Sequence, residues 1–564
     1  MLFEQKDIFK KFLKTLLADR RFVAIGVLLL SMVALSFFSR IWDPDFFWHL
    51  ATGRWIVQNL ALPDSDPFTS AVYGTDREAL ILKGYWITQT LYYLLYSALG
   101  YFGLALFKSL CFVGLFAVII RYHATLKTQL GWMLVGILTL YDVLLRFRAD
   151  RPNMISLLFF AVLLYLLETR RWKTVPWLMI FWANMHGGFL LGDVVIGLYL
   201  VGLILHQRTR FDCKILFWGV LSLAVSFINP LGVVPFKILL QVQGSLYQEA
   251  VMEFMSPLRL ATEFGDLYLG YLFALLLCLI ALLRKWNKVA WPWALVLVFT
   301  SVISLMHARY IPFMVIASAF FAPQLLNDGV LPLWARQLLA SVAMALFILL
   351  FSDDVLAGRG LTYGLEPDRF PIKAADFIEK QYLTRSILPL NAWGGYLLWR
   401  LPKHKIQDDT RALSVATYMR NIKIQKGDPQ WRSLLEQQET ELVVTSAFSP
   451  IAGDRLGFWQ AVNDDPLWQL IYLDDRSLIY ARRDIYQQQS VKGYGYGDVL
   501  AHALFQAQRL VKKYPQTSRH WADLGYINVI RGEIPAAIEA YQKTLSVEPG
   551  NEGYRTRLDL LQRR

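Results

Sequence analysis

Between residues 22 and 351 the chain consists of apolar runs divided by short polar loops. The runs fall at 22–39, 85–99, 101–120, 131–145, 153–167, 175–185, 188–205, 214–228, 267–283, 290–306, 310–326 and 334–351. A run of about 20 apolar residues reaches across the hydrocarbon core of a bilayer. Inside that layer each backbone N–H and C=O needs a partner within the protein, which restricts such segments to helices. Composition points the same way. The chain is 55% hydrophobic and only 18% charged, whereas soluble domains average about 45–50% and 25%. The expectation is a multi-span α-helical membrane protein over residues 1–351, with about 11–12 hydrophobic segments.

The formal net charge of +13 does not point to nucleic acid. Most basic residues stand in short loops beside apolar runs, where orientation in the membrane places them. Cys111, Cys213 and Cys278 lie in or beside apolar segments without metal or disulfide spacing, so they are read as packing residues. The basic lead (Lys10, Lys11, Lys14, Arg20, Arg21) precedes a first run that ends in bulky residues rather than a small-residue cleavage site. It reads as an uncleaved anchor with a cytoplasmic N-terminus. Loops 206–214 and 284–288 are basic and assigned inside. Segment 229–266, His307-Ala308-Arg309 and everything after about 352 are then outside. Twelve full spans would return the C-terminus to the cytoplasm. One short segment, with 85–99 and 175–185 as candidates, must therefore be re-entrant or interfacial, or two must form one broken span.

The loop after the first run carries the densest chemistry. Asp43 and Asp45 flank Pro44 at the mouth of a hydrophobic helix, and Asp64 and Asp66 follow. Carboxylates against a bilayer are costly to place and mark functional sites by default. Such a pair can take a proton from an attacking hydroxyl or amine. It can also hold a divalent cation, or simply end a helix. Phe46, Leu50, Val57 and Leu60 share one helical face, so segment 46–60 can lie on a membrane surface. His49 borders that face, as a packed residue or a cavity group. Lys83 stands just ahead of the next apolar run, either on a lipid phosphate or snorkelling to the interface.

Further along, Arg146, Arg148 and Arg151 surround Asp150. Arg148 and Arg151 suit phosphate recognition through the guanidinium fork, with positive-inside placement as the alternative. Asn184-Met185-His186-Gly187-Gly188 interrupts about thirty apolar residues, as a kink whose Asn184 and His186 face a wet cavity. Glu249 and Glu253 share a helical face in the outside loop, as a second acidic contribution or a solvated surface. His307, Arg309 and Tyr310 stand at an outer helix mouth.

After residue 351 the composition turns soluble. Residues 372–382 and 429–439 read as helices. Ser386–Leu390, Glu441–Thr445, Trp468–Leu473 and Ser477–Arg482 read as strands, giving a small α/β domain over 352–487. A Gln- and Gly-rich linker, 488–497, follows. In 498–564, Trp521, Leu524, Gly525, Gly532, Ala537, Tyr541 and Pro549 resemble the tetratricopeptide pattern, with Asn528 where Tyr is usual.

The opening of the chain resembles polyprenyl-phosphate-sugar-dependent glycosyltransferases of the GT-C fold, such as protein O-mannosyltransferases and lipid A aminoarabinose transferases. Asp43 or Asp45, the 46–60 segment and Lys83-Gly84-Tyr85-Trp86 occupy the places of that class's acidic motif, membrane-surface helices and basic residue. Pro44 and Phe46 depart from the Glu that usually follows the acid, so the choice between the two acids stays open. The chain is also similar to bacterial multi-span proteins with WHL, DPF and NxHGGF elements and tetratricopeptide tails. The resemblance implies a bacterial inner-membrane enzyme that moves a sugar from a polyprenyl-phosphate carrier to an extracytoplasmic acceptor. Asp45 would act as base with Asp43 assisting, and Lys83, Arg148 and Arg151 would bind the donor phosphate. His49, Asn184, His186 and Arg309 would line the cavity, and the repeat would grip an acceptor or partner protein. A divalent cation such as Mg or Mn remains an open cofactor. The alternatives are a non-catalytic assembly scaffold acting through its repeat, and a surface-polysaccharide polymerase or ligase.

Overall fold

The computed structural model describes residues 20–69, 74–206, 212–242, 252–264, 268–284, 290–327, 331–367, 369–381, 386–449, 453–463, 465–486 and 494–563. The basic residues before Arg20, and Glu249, lie outside the described residues. The chain divides into two compact units. One comprises Met1–Asp43, Thr52–Asp64 and Ala79–Leu365. The other comprises Pro44–Ala51, Ser65–Glu78 and Glu366–Arg564.

The first unit is helical. It opens with α1 (Arg20–Phe37), α2 (Phe46–Asn59), α3 (Asp76–Lys83), α4 (Trp86–Leu126) and α5 (Leu130–Arg146). It continues with α6 (Asn153–Glu168), α7 (Val175–Met185), α8 (Phe189–His206), α9 (Cys213–Val225) and α10 (Val234–Val242). It closes with α11 (Pro257–Phe264), α12 (Leu269–Arg284), α13 (Trp291–Met306), α14 (Ile311–Leu325) and α15 (Leu333–Leu356). The unit boundary falls inside α2 and α3. Among the described residues, by length and composition α4, α8 and α15 can cross a membrane, and five shorter helices are also apolar.

The sequence separates 85–99 from 101–120, but the structure runs them together as α4 with a break at Gly100. There φ is 59° and ψ is −149°, a backbone open to glycine and closed to most side chains. Small residues elsewhere let helices approach closely. A Cβ on Gly136 would stand 2.9 Å from the Pro323 ring, and one on Gly202 2.5 Å from the Pro292 nitrogen. Phe37 stacks on Phe112 at 3.9 Å, joining α1 to α4.

The second unit is built on a five-stranded sheet in the order β2-β1-β3-β5-β4. Its strands are β1 (Ser386–Pro389), β2 (Lys405–Ile406), β3 (Leu442–Thr445), β4 (Trp468–Leu473) and β5 (Leu478–Arg482). β1 runs parallel to β2 and β3, whereas β5 is antiparallel to β3 and β4. All four β3 residues are buried, as befits a central strand covered on both faces. Helix α16 (Ile372–Lys380) precedes the sheet and α17 (Asn391–Arg400) crosses from β1 to β2. Gly394 allows α17 to seat, because a Cβ there would lie 1.9 Å from the Asp408 carbonyl. α18 (Val415–Lys426) and α19 (Trp431–Gln437) follow β2, and the four-residue α20 (Phe458–Ala461) and α21 (Arg483–Tyr486) flank β4 and β5.

Early residues complete this unit. Phe47 packs on Phe370 at 4.8 Å and on Tyr396 at 5.0 Å. Asp66 binds Arg411 through two contacts of 2.8 and 3.0 Å, and Arg411 also binds Asp409. Phe46 and Leu50 are buried too. The apolar face expected to rest on a membrane surface is therefore spent, at that end of α2, on protein core.

Four helices finish the chain: α22 (Tyr496–Lys513), α23 (Ser518–Ile530), α24 (Ile534–Val547) and α25 (Glu552–Gln562). Val499, Ala503 and Ala507 of α22 belong to the same apolar core as Val443, Leu470 and Tyr480 of the sheet. Gly525 faces the Tyr541 ring, where a Cβ would approach to 2.8 Å. Gly532, at φ 79°, makes the turn from α23 to α24.

Candidate functional site

The loop leaving α1 is fixed by a buried ion pair. Lys108, in the apolar middle of α4, meets the Asp150 carboxylate at 2.5 Å, and their side chains are 1% and 2% exposed. The other Asp150 oxygen accepts the backbone N–H of Trp42 at 3.0 Å and of Asp43 at 3.5 Å. Lys108 also donates to the Arg40 carbonyl, and the Tyr92 hydroxyl donates to the Asp150 carbonyl. A buried charge requires this degree of pairing. Burial pushes the Asp150 carboxyl upward, and Lys108 opposes it. Lys108 is not among the sequence candidates, although a lone cation inside an apolar run is itself a signal.

Asp43 is thereby delivered to Arg151. Its carboxylate is wholly buried and accepts from Arg151 Nε at 2.6 Å. Pro152 opens the turn into α6 and biases residue 151 away from helical backbone. The same guanidinium donates from Nη1 to Glu253 at 2.6 Å. Glu253 stands on a 3-10 turn, Met252–Phe254, ahead of α11. The charge of Arg151 holds its carboxyl below the ordinary range, helped by Arg309. Arg309 lies 4.7 Å from the Phe254 ring centroid, a cation–π contact. Two arginines and two carboxylates are thus brought together from four distant stretches of sequence.

The NMHGG turn lies beside the start of α4. His186 is extended (φ −165°, ψ 143°) and ends α7. Its ring stacks on Tyr85 at 5.5 Å. Nδ1 receives the Gly188 N–H at 3.0 Å and lies 2.7 Å from Ser156 Oγ. That hydroxyl already accepts from Trp182 Nε1, so its own proton is directed to the histidine. Nε2 is then the nitrogen that carries a proton. Gly188 is required here, because a Cβ would stand 2.4 Å from Ser156 Oγ. His186 also faces the positive field of Arg309 and Arg151.

Other expected site residues are placed differently. Arg148 is buried against Asp354 at 2.8 Å and donates to the Ser36 carbonyl at 3.0 Å. It clamps the end of α1 to α15 and is not presented to a phosphate. Asn184 is also spent on structure. It accepts from Trp86 Nε1 at 2.9 Å and donates to the carbonyls of Ile180 and Ile228. This staple between chain segments leaves little of the amide to a cavity. Lys83 pairs with Asp64 at 2.8 Å, at an exposed position. His49 is buried, its ring 3.4 Å from that of Trp48. Asp45 is partly buried and is grouped with the second unit, whereas Asp43 belongs to the first.

A divalent cation needs several oxygen ligands around one point. Among the described residues no group of three or more His, Cys, Asp or Glu offers that. The carboxylates of Asp43 and Asp150 face Arg151 and Lys108 instead. The described residues do not fit a resident metal.

No protein-family model matches the chain, and no curated protein matches it in sequence. Among solved structures the chain is similar to the archaeal oligosaccharyltransferase AglB from Archaeoglobus fulgidus in complex with an inhibitory peptide and a dolichol-phosphate. The TM-score is 0.47 at 10% identity, covering 75% of this chain and 69% of that one. It is similar to the Archaeoglobus fulgidus oligosaccharyltransferase in the apo form, with TM-score 0.49 at 10% identity, covering 83% and 75%. It is also similar to ArnT from Cupriavidus metallidurans in the apo state, with TM-score 0.47 at 13% identity, covering 82% and 97%. These neighbours are glycosyltransferases of the GT-C fold.

Proposed function

We propose that the chain is a multi-span glycosyltransferase of the GT-C class that uses a polyprenyl-phosphate-linked sugar and works at the outer face of a bacterial inner membrane. One observation supports this above the rest: Arg151 holds the buried Asp43 in the loop after the first apolar helix and shares Glu253 with the field of Arg309. Paired guanidinium groups suit a phosphate that gains charge as it leaves. In this reading the acceptor hydroxyl or amine attacks the sugar's anomeric carbon. The bond from that carbon to the phosphate oxygen breaks, and its electrons leave with the lipid phosphate. The acceptor's proton passes to a loop carboxylate.

We give the proton-accepting role to Asp45 on its place in the loop sequence, while the wholly buried Asp43 pairs with Arg151. Asp43 then holds Arg151 in place. Arg151 and Arg309 carry the phosphate role, with Lys83 as a peripheral contact, and Arg148 is spent on Asp354 instead. The tetratricopeptide-like tail presents an acceptor or partner protein.

Purified protein given undecaprenyl-phosphate hexoses should release undecaprenyl phosphate. Asp45→Asn should insert normally and slow that release about a hundredfold or more. Full activity in both Asp43→Asn and Asp45→Asn would sink the assignment. A scaffold would show no release in any variant. A polymerase or ligase would transfer only to a glycan acceptor.

A further inference from the structure

The Met252–Phe254 turn is tied to the anion site in several ways. Its Glu253 carboxylate takes Arg151 Nη1 at 2.6 Å. The Phe254 ring covers the Arg309 guanidinium, and the Phe254 carbonyl accepts from His307 Nδ1 at 2.6 Å. The Ala308 N–H donates to the Met255 carbonyl at 2.9 Å. Backbone and ring contacts therefore seat the turn on the Arg309 segment, and one carboxylate closes it over Arg151.

The two acids on Arg151 are not equivalent. Asp43 is 0% exposed and holds Nε, while Glu253 is 46% exposed and holds Nη1. A buried partner cannot leave without stranding charge. A half-exposed ion pair is weak, because water competes for both groups. A phosphate brings more charge and more acceptor oxygens to the same guanidinium.

We infer that Glu253 is a stand-in anion that occupies the outer side of Arg151 until a lipid-linked phosphate displaces it. Asp43 stays in place and keeps the guanidinium oriented through the exchange. The inference rests on the phosphate role proposed above for Arg151 and Arg309, and it adds to that role a built-in competitor. Empty enzyme thereby avoids leaving the charge of Arg151 and Arg309 balanced by Asp43 alone, and binding of the donor requires release of one carboxylate.

The test measures equilibrium binding of undecaprenyl phosphate, and separately of inorganic phosphate, to the full-length protein in nanodiscs. Glu253→Gln keeps the side chain's shape at a half-exposed position. It should bind undecaprenyl phosphate roughly two- to fivefold more tightly than the parent, the range expected for losing one such competitor. Arg151→Gln and Arg309→Gln should each weaken binding by about tenfold. Unchanged binding in both arginine variants would overturn the anion site itself. Weakened arginine variants beside a Glu253→Gln that binds no tighter would leave the site standing and overturn the competitor. A gain shared by inorganic phosphate supports exchange for the phosphate group, and a gain confined to the lipid supports exchange for a lipid-linked anion. A gain confined to inorganic phosphate would overturn the lipid as occupant. Loss of sugar transfer with unchanged phosphate affinity in Glu253→Gln would also overturn the inference, because Glu253 would then act in the chemistry.

Discussion

Replacing Lys108 by Met should damage this protein far more than a single apolar-for-basic exchange inside an apolar helix would suggest. The substitution keeps most of the volume and removes the charge. Among the described residues, what remains is the Asp150 carboxylate, 2% exposed, with the backbone donors of Trp42 and Asp43 on its second oxygen. Removing one partner of a buried pair costs about 3–5 kcal/mol. An upper bound comes from neutralisation, since Asp150 can take a proton instead of staying charged. Protonating an ordinary carboxyl at pH 7 costs about 1.4 kcal/mol for each of roughly three pH units, or about 4 kcal/mol. The expected loss is therefore about 3–4 kcal/mol. Asp150→Asn strands the lysine instead and should lose a similar amount. The double variant Lys108→Met/Asp150→Asn removes both charges and should recover about half of that loss or more. Reversible unfolding in mixed detergent micelles would supply the three values. Transfer activity in the double variant should stay low even where stability returns, because Asn holds the Trp42–Asp43 backbone less firmly than a carboxylate. A Lys108→Met cost below about 1 kcal/mol, with no recovery in the double variant, would refute the claim that this pair fixes the loop.

Two further outcomes are expected. Asp408 is 7% exposed, and burial together with repulsion from Asp409 raises its carboxyl well above the ordinary range, against the pull of Asn391. A raised acid is protonated in the folded state over a window in which the unfolded chain has lost the proton. Its stabilising contribution is therefore complete below the ordinary carboxyl range and is lost as pH rises through the raised value, at up to about 1.4 kcal/mol per pH unit. Asp408→Asn, which mimics the protonated form, should flatten this dependence in melting curves from pH 5 to 9; a parent whose stability climbs over that range would contradict the assignment. Deleting residues 498–564 should unfold the α/β unit rather than trim an independent module, since it removes Val499, Ala503 and Ala507 from the sheet's own core. A truncated chain with native-like protease resistance in 386–482 would count against this.

Much of the architecture was legible from pattern alone. Apolar runs marked the helices of residues 22–351, and short strand-like stretches marked the strands at 386–390, 441–445, 468–473 and 477–482. The short β2 and the helix α17 escaped notice. Two residues carry no period, and Asn391–Arg400, with two glycines in its middle, has a poor helical signature. The turn at Gly187-Gly188 was readable because glycine opens backbone conformations that other residues resist.

The chemistry of the loop acids belonged to the sequence only as a list of candidates. Arg148 and Arg151 stand three residues apart in one basic cluster, and nothing local distinguishes them. Arg148 meets Asp354 across 206 residues of chain, whereas Arg151 meets Asp43 across 108. Lys108 stood alone in an apolar run until Asp150 came to it, and Glu253 had the look of a solvated surface acid until Arg151 did. A charge in a sequence states its sign and its cost of burial, and that much was determined by the residues themselves. Which opposite charge meets it depends on how helices far apart in the chain pack together, and only the tertiary structure decides that.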